Sequence, residues 1–345
     1  MQQYTFPSAE AELIAQMRTI IGTPPGGERY CPGIGDDAAV RPVTGEDSFI
    51  ITTDLSVEHV HFSRDYMTME QIGYRSMVSN LSDCAAMGAL PDGAFVQLII
   101  PAESHGRNFA DEIEALYSGF ARASRRWDFQ VAGGDISRGR EWVIAITLIG
   151  RTAPGERTVL RKGAVPGDDV WVTNVPGRSA AGFTLLKGHG RSGVPKRYAS
   201  LRDAHIAPVP RIDLGRKLAA DGAVHALMDL SDGLSKDCRT LCHESGCGMI
   251  LSPDPSQASE AMIQLSREIS VPWQRWFLHG GEDYELLFTA SADFEPITYE
   301  TVEGGGSLLR IGSCTDTVQG VVVDNCGTLE PLPVEGFDHV GRPLM

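Results

Sequence analysis

Aspartates set at the ends of apolar runs or beside glycines are the most informative feature of this 345-residue chain: Gly35-Asp36-Asp37, Thr52-Thr53-Asp54, Ser82-Asp83, Gly133-Gly134-Asp135 and Asp229-Leu230-Ser231-Asp232-Gly233. At any one of these places turn chemistry is explanation enough, because Asp caps and bends backbone well. Together they ask for more. Carboxylates brought near one another repel by ~4 kcal/mol per pair at 4 Å and an effective dielectric of 20, so a converging set needs cations. Hard oxygen donors select Mg²⁺, which keeps waters and bridges a few carboxylates to substrate phosphates. The pattern therefore predicts Mg²⁺-assisted chemistry on a phosphorylated substrate.

Competing nucleotide-binding, hydrolase and zinc motifs lack their anchors. Gly188, Gly190 and Gly193 match Gly-x-Gly-x-x-Gly, but they follow a helical pattern where the dinucleotide fingerprint needs a preceding strand, and they read as a flexible loop. No Gly-x4-Gly-Lys-Ser/Thr, His-Glu-x-x-His or Gly-x-Ser-x-Gly occurs. Cys238, Cys242, His243 and Cys247 lack the paired spacing of zinc sites, and the first two cysteines lie one helical turn apart, which reads as helix packing.

Elements must carry these residues. Leu13, Ile14, Met17, Ile20 and Ile21 recur on one face of a helix that Ser8 can cap, and Pro24-Pro25-Gly26-Gly27 ends it. The spacing predicts a strand over 48–53 delivering Asp54 at its end, and a helix over 70–87 with Asp83 in its last turns. It continues with a strand over 94–100, a helix over 108–127, a short strand opening into Gly133-Gly134-Asp135, and a strand over 142–149. A polar stretch rich in Gly and Pro follows Arg151, placing a domain boundary near 152. Strands (170–173, 226–228, 284–289, 320–324) and helices (180–187, 211–220, 234–245, 256–269) then mix as α+β layers. A net charge of −15 from 45 acidic and 30 basic residues disfavours nucleic acid and anionic membrane. With no apolar run near the ~20 residues of a spanning helix, no signal-peptide pattern and seven scattered cysteines, a cytoplasmic protein with reduced thiols is expected.

Seven ordered blocks carry a resemblance: GIGDDAAV (33–40), TTDLSVEHVHF (52–62), NLSDCAAMGALP (80–91), GGD (133–135), LRKGAVPGD (160–168), DLSDGL (229–234) and GGEDYELLFT (280–289). Over 8–340 the chain resembles the thiamine-monophosphate kinase family, in the superfamily of aminoimidazole ribonucleotide synthetase. The resemblance implies a two-domain α/β (α+β) fold. Residues 1–152 would form an ATP- and Mg²⁺-binding domain whose strands pair across a homodimer, and 153–345 an α/β domain covering the site. It implies ATP-dependent phosphorylation of thiamine phosphate to thiamine diphosphate by direct in-line transfer. Another ATP-using enzyme of the superfamily, or a non-catalytic Mg-nucleotide sensor, is the alternative.

The family's metal ligands fall on Asp37, Thr52, Thr53, Asp54, Asp83, Asp135, Asp229 and Asp232, and its ATP contacts on Tyr117, Gly134, Asp135, Arg161 and Ser231. Arg161 and Asp135 are then the catalytic pair, and His61, Glu282 and Phe337 the substrate contacts. Two positions depart from the pattern: Ile136 stands where Thr is usual, and Val340 where an aromatic is common. Cys31 lacks the neighbouring lysine that a selenophosphate synthetase would carry.

Overall fold

The computed structural model describes residues 9–21, 30, 36–42, 48–102, 109–153, 155–296 and 307–335. After helix α1 (Ala9–Ile21), five strands form the first sheet: β1 (Ala39–Pro42), β2 (Ser48–Val57), β3 (Leu90–Pro101), β4 (Gln130–Gly139) and β5 (Val143–Arg151). Their order is β1-β2-β5-β3-β4, antiparallel except for the parallel β3–β4 pair. Helices α2 (Met69–Ala86) and α3 (Phe109–Trp127) occupy the crossovers and pack together. Inward residues alternate along the strands, as Val96, Leu98 and Ile100 on β3 and Ile144, Ile146 and Leu148 on β5 show. The opposite face keeps Phe49, Leu55, Phe95 and Ile99 exposed.

The second sheet runs β12-β11-β8-β10-β6-β9-β7. Its strands are β6 (Asp169–Thr173), β7 (Val224–Leu230), β8 (Gly248–Leu251), β9 (Glu285–Ala290), β10 (Leu308–Thr315), β11 (Val321–Asn325) and β12 (Thr328–Pro331). Helices α4 (Arg178–Gly193), α5 (Ala199–Ile206), α6 (Ile212–Ala220), α7 (Leu234–Ser245), α8 (Glu260–Ile269) and α9 (Trp273–His279) accompany it. The α/β layering expected from the sequence is present in both halves.

Three local expectations change. β2 does not stop at Thr53: its ladder with β5 runs from Phe49 opposite Arg151 to Val57 opposite Val143, which places Asp54 inside the strand. Apolarity fades after Thr53, but backbone pairing continues because β5 is long enough to receive it. Gly133-Gly134-Asp135 likewise lies within β4, not at a turn. The backbones approach so closely there that a Cβ on Gly134 would sit 1.7 Å from the Val96 carbonyl oxygen. The segment at Gly188–Gly193 is helical, not a loop, with a break where Gly190 takes a positive φ of 65°. Cys238 and Cys242 are buried on α7 and Cys247 is buried just beyond it, as helix packing requires.

α2 joins the two halves. Thr68 and Gln71 close a reciprocal capping box at its start. Along its length Ile72, Met77, Leu81 and Ala85 are buried, and its last turns also pack against α6. A Cβ added at Gly215 on α6 would meet the Ala85 carbonyl oxygen at 2.0 Å, so the absent side chain sets this helix spacing. We expect Gly215→Ala to cost about 1–3 kcal/mol in urea denaturation, the usual range for overpacking. A cost below ~0.5 kcal/mol would show that the spacing is set elsewhere.

Candidate active site

The site lies where the last turns of α2 meet the other half of the chain. Ser82 and Asp83 are neighbours facing different partners: the Thr52 hydroxyl on β2 donates to Asp83 Oδ2, and the Ser82 hydroxyl donates to Asp229 Oδ2 on β7 at 2.9 Å. Asp37, just before β1, completes the group. Carboxylate oxygens of Asp37, Asp83 and Asp229 all lie within 4.8 Å of one another. Arg161 clamps Asp37 in a fork, Nε to Oδ2 and Nη2 to Oδ1, each at 2.9 Å. The segment bearing Arg161 is fastened by Ser245, whose hydroxyl accepts from the Gly163 and Ala164 amides at 3.1 Å each and donates to the Arg161 carbonyl at 3.4 Å.

The electrostatics agree with this crowding. Burial, followed by the charges of Asp54, Asp229 and Asp37, pushes the Asp83 carboxyl well above the usual range. Asp229 is raised by burial and then by Asp37. Asp36, whose Oδ1 accepts from the Asp37 amide at 2.9 Å, is pushed up to about 7 by burial and then by Asp37. Three converging carboxylates against one clamping guanidinium leave surplus negative charge, and the donors are all hard oxygens. This set fits a divalent cation of the Mg²⁺ type.

The Asp229–Gly233 and Gly280–Glu285 segments lie back to back. The Glu282 amide donates to the Ser231 carbonyl at 2.6 Å and the Tyr284 amide to the Leu230 carbonyl at 3.0 Å. Both Glu282 and Tyr284 hold positive φ, 64° and 53°. Non-glycine residues there carry about 1 kcal/mol or more of strain each. The three acids of this segment have separate duties. Asp283 accepts from the Gly177 and Ser179 amides at 2.5 and 2.9 Å and so caps α4. Glu285 is buried in a fork with Arg211 at 2.6 Å. Glu282 pairs with the buried Arg75 at 2.8 Å while remaining one-third exposed, which leaves it the acid able to meet a ligand.

Other sequence candidates are dispersed. Thr53 lies on the open face of β2, where the Thr147 hydroxyl donates to it at 3.3 Å. His61 Nδ1 accepts from the Val57 amide at 3.1 Å beyond the end of β2, which leaves its ring proton on Nε2. Asp232 pairs with Lys236 at 2.8 Å. Tyr117, Gly134, Asp135 and Ile136 line a separate pocket of about 590 Å³ around the β4 edge, with Ile136 61% exposed. Asp135 is not brought to the carboxylate cluster within one chain: β4 lies three strand positions from β2, roughly 14 Å along the sheet at the usual spacing. Phe337 and Val340 fall outside the described residues.

Residues 35–152 match the family described as AIR synthase related protein, N-terminal domain, and 165–322 match its C-terminal domain counterpart. Thiamine-monophosphate kinase of Bacillus subtilis is 33% identical over 316 residues, covering 89% of this chain and 93% of that protein. The Escherichia coli K12 enzyme of the same name is 34% identical, covering 90% and 92%. The chain belongs to the thiamine-monophosphate kinase family. A solved structure described as AaThiL complexed with AMPPCP and TMP superposes with a TM-score of 0.80 at 29% identity, covering 95% of this chain and 96% of that one. The family's enzyme from Stenotrophomonas maltophilia gives 0.71 at 32%, covering 94% and 98%. Hydrogenase maturation protein HypE, at 16% identity and 0.64, shares the fold alone.

Arg75, Ser245, Lys236 and Asp237 surround the site without having been legible in the sequence as parts of it. Asp237 Oδ2 accepts from the Asp232 and Gly233 amides at 3.1 and 3.0 Å and thereby shapes the loop before α7. Its place one helical turn from Gly233 was the available signal. Ser245 and Arg75 act across the fold and had none.

A carboxyl with a raised folded pKa stabilises the chain at pH below the ordinary carboxylate value, and that contribution is lost as pH rises to the folded value. For Asp36 the window runs from 3.8 to about 7. Metal-free protein should therefore lose melting temperature across that window. Saturating Mg²⁺, worth about 2.7 kcal/mol at a hundredfold excess over Kd, should restore more at about pH 8 than at about pH 5. Equal Mg²⁺ shifts at both pH values would argue against carboxylates as the ligands.

Proposed function

We propose that the chain transfers the γ-phosphoryl group of ATP to thiamine phosphate, giving thiamine diphosphate and ADP, with Mg²⁺ held at the carboxylate cluster. The observation that carries this reading is the convergence of Asp37, Asp83 and Asp229 beside Arg161 in a member of this kinase family. A superposable relative complexed with AMPPCP and TMP supports the same pair of ligands.

Asp37, Asp83 and Asp229, with Thr52, Thr53, Asp54 and Asp135, would hold the metal, which when bound supplies charge neutralisation to the phosphates. Arg161 is a planar, permanently charged donor placed to serve the triphosphate, and Asp37 and Ser245 restrict its geometry. The acceptor needs no general base. A phosphate monoester has a second pKa of about 6 and arrives as an anionic nucleophile, so in-line alignment and charge neutralisation supply the acceleration. Tyr117 and Gly134 suit the nucleotide through their shared pocket, and Ser231 its phosphate side. Glu282, steadied by Arg75, would face the cationic thiazolium, and His61 and Phe337 complete the acceptor side.

A homodimer belongs to the proposal. Phe49, Leu55, Phe95 and Ile99 form an exposed apolar face on the first sheet, and Thr53 and Asp135 lie on the same face by register. A second copy on that face would bring its Asp135 toward Thr53. Residues 1–152 are thus assigned as the nucleotide, metal and pairing domain and 153–345 as the covering domain. Among the described residues no helix is long and apolar enough to cross a membrane. We place the enzyme in the cytoplasm.

Asp83→Asn should lower transfer by on the order of 10²–10³-fold, the scale of losing one electrostatic contact to a developing charge. Asp254→Asn should change little, since Asp254 is an exposed cap of a short 3₁₀ turn and Asn caps equally well. Equal losses would signal folding damage. Product analysis by mass should show thiamine phosphate consumed and free thiamine untouched; rapid phosphorylation of thiamine would overturn the acceptor assignment.

Phe95→Glu, in the middle of the open face, should halve the mass measured by light scattering and depress activity. A monomeric wild type would refute the pairing.

A further inference from the structure

Lys236 is out of place by the ordinary rules of helices. It is the third residue of α7, at the positive end of the helix dipole where acids are favoured, and it is 6% exposed. A buried ammonium is retained only where anions offset its desolvation. Its Nζ lies 2.8 Å from Asp232 Oδ2, one turn back along the chain. Asp237, the next residue, directs its carboxylate to the Asp232 and Gly233 amides and fixes the loop that presents Asp232. The Asp232 side chain is 30% exposed, and the lysine pairs with its Oδ2.

A divalent ion at Asp232 would share that carboxylate with an ammonium at hydrogen-bond distance, and the two cations would repel in a partly desolvated setting. The deeper carboxylates differ: Asp83 and Asp229 take hydroxyl donors, and the one guanidinium there, Arg161 on Asp37, is outnumbered by three converging carboxylates, whereas Lys236 matches Asp232 one to one. We propose that Lys236 is the resident cation of Asp232, so that this carboxylate is closed to a divalent ion and the metal set of this chain is confined to the Asp37, Asp83 and Asp229 cluster with its neighbours. The proposal rests on the Mg²⁺ reading above and removes one residue from the ligand set implied by family resemblance.

The test counts bound Mn²⁺ by the electron paramagnetic resonance signal of the free ion, using the full chain with AMPPCP. Asp232→Asn should bind as many ions as wild type. Lys236→Met should gain one ion per chain, Lys236→Arg should gain none because the cation is kept, and the double variant Lys236→Met with Asp232→Asn should return to the wild-type count. Loss of an ion in Asp232→Asn, or no gain in a Lys236→Met protein that melts cooperatively, overturns the proposal. If Lys236→Met does not fold, the Asp232→Asn count decides alone. A wild-type chain that binds no Mn²⁺ refutes the Mg²⁺ reading and this inference with it, a result distinct from the loss of one ion among several.

Discussion

The mutual repulsion of Asp37, Asp83 and Asp229 is the constraint to which the rest of the structure answers. Bringing three carboxylates within 4.8 Å is unfavourable unless each is supplied with donors or cations. Thr52 serves Asp83, Ser82 serves Asp229, and Arg161 serves Asp37. These donors offset part of the charge, while burial and then the neighbouring carboxylates lift the carboxyls of Asp83 and Asp229. Under the proposed function this surplus negative charge attracts a cation, and the cation in turn attracts the polyphosphate.

Holding that arrangement requires two halves of the chain to meet without slack. α2 does this by presenting consecutive residues to both: Asp83 to the first sheet and Ser82 to the second. The glycine contact of α6 on Ala85 keeps the helices close near the same end. On the other side, Asp283 commits its charge to capping α4 and Glu285 commits its charge to Arg211, which fixes the strained turn from which Glu282 projects. Acids close together in sequence thus take separate partners, because backbone register sends them to different neighbours.

The first sheet explains why one chain is an incomplete enzyme under the proposed function. Its helices cover one face, and the other carries apolar residues in contact with solvent together with Thr53 and Asp135. An exposed apolar face of this kind marks an interaction surface, and under the proposed function a second copy would supply cover and ligands in a single contact.

The sequence by itself determined the layered α/β character, most of the long helices, the family and the aspartates worth attention, because apolar periodicity and glycine-marked acids are local signals. It did not reveal that Asp54 and Asp135 sit inside strands, since the length of β2 and β4 depends on the partner strands that receive their backbone bonds. The glycines around Gly190 read as a loop in the sequence yet fold as helix, because a single residue of positive φ can interrupt a helix without ending it. Short strands such as β1, β8 and β12 carry too few residues for a period to show. Which aspartates converge was decided only by tertiary structure: Asp37, Asp83 and Asp229 lie 46 and 146 residues apart along the chain and meet at the end of α2, whereas Asp232, three residues from Asp229, turns to Lys236 instead. Proximity along the chain governs capping and turns, but electrostatic energy depends on distance in space, and only the packed helices and sheets set that distance.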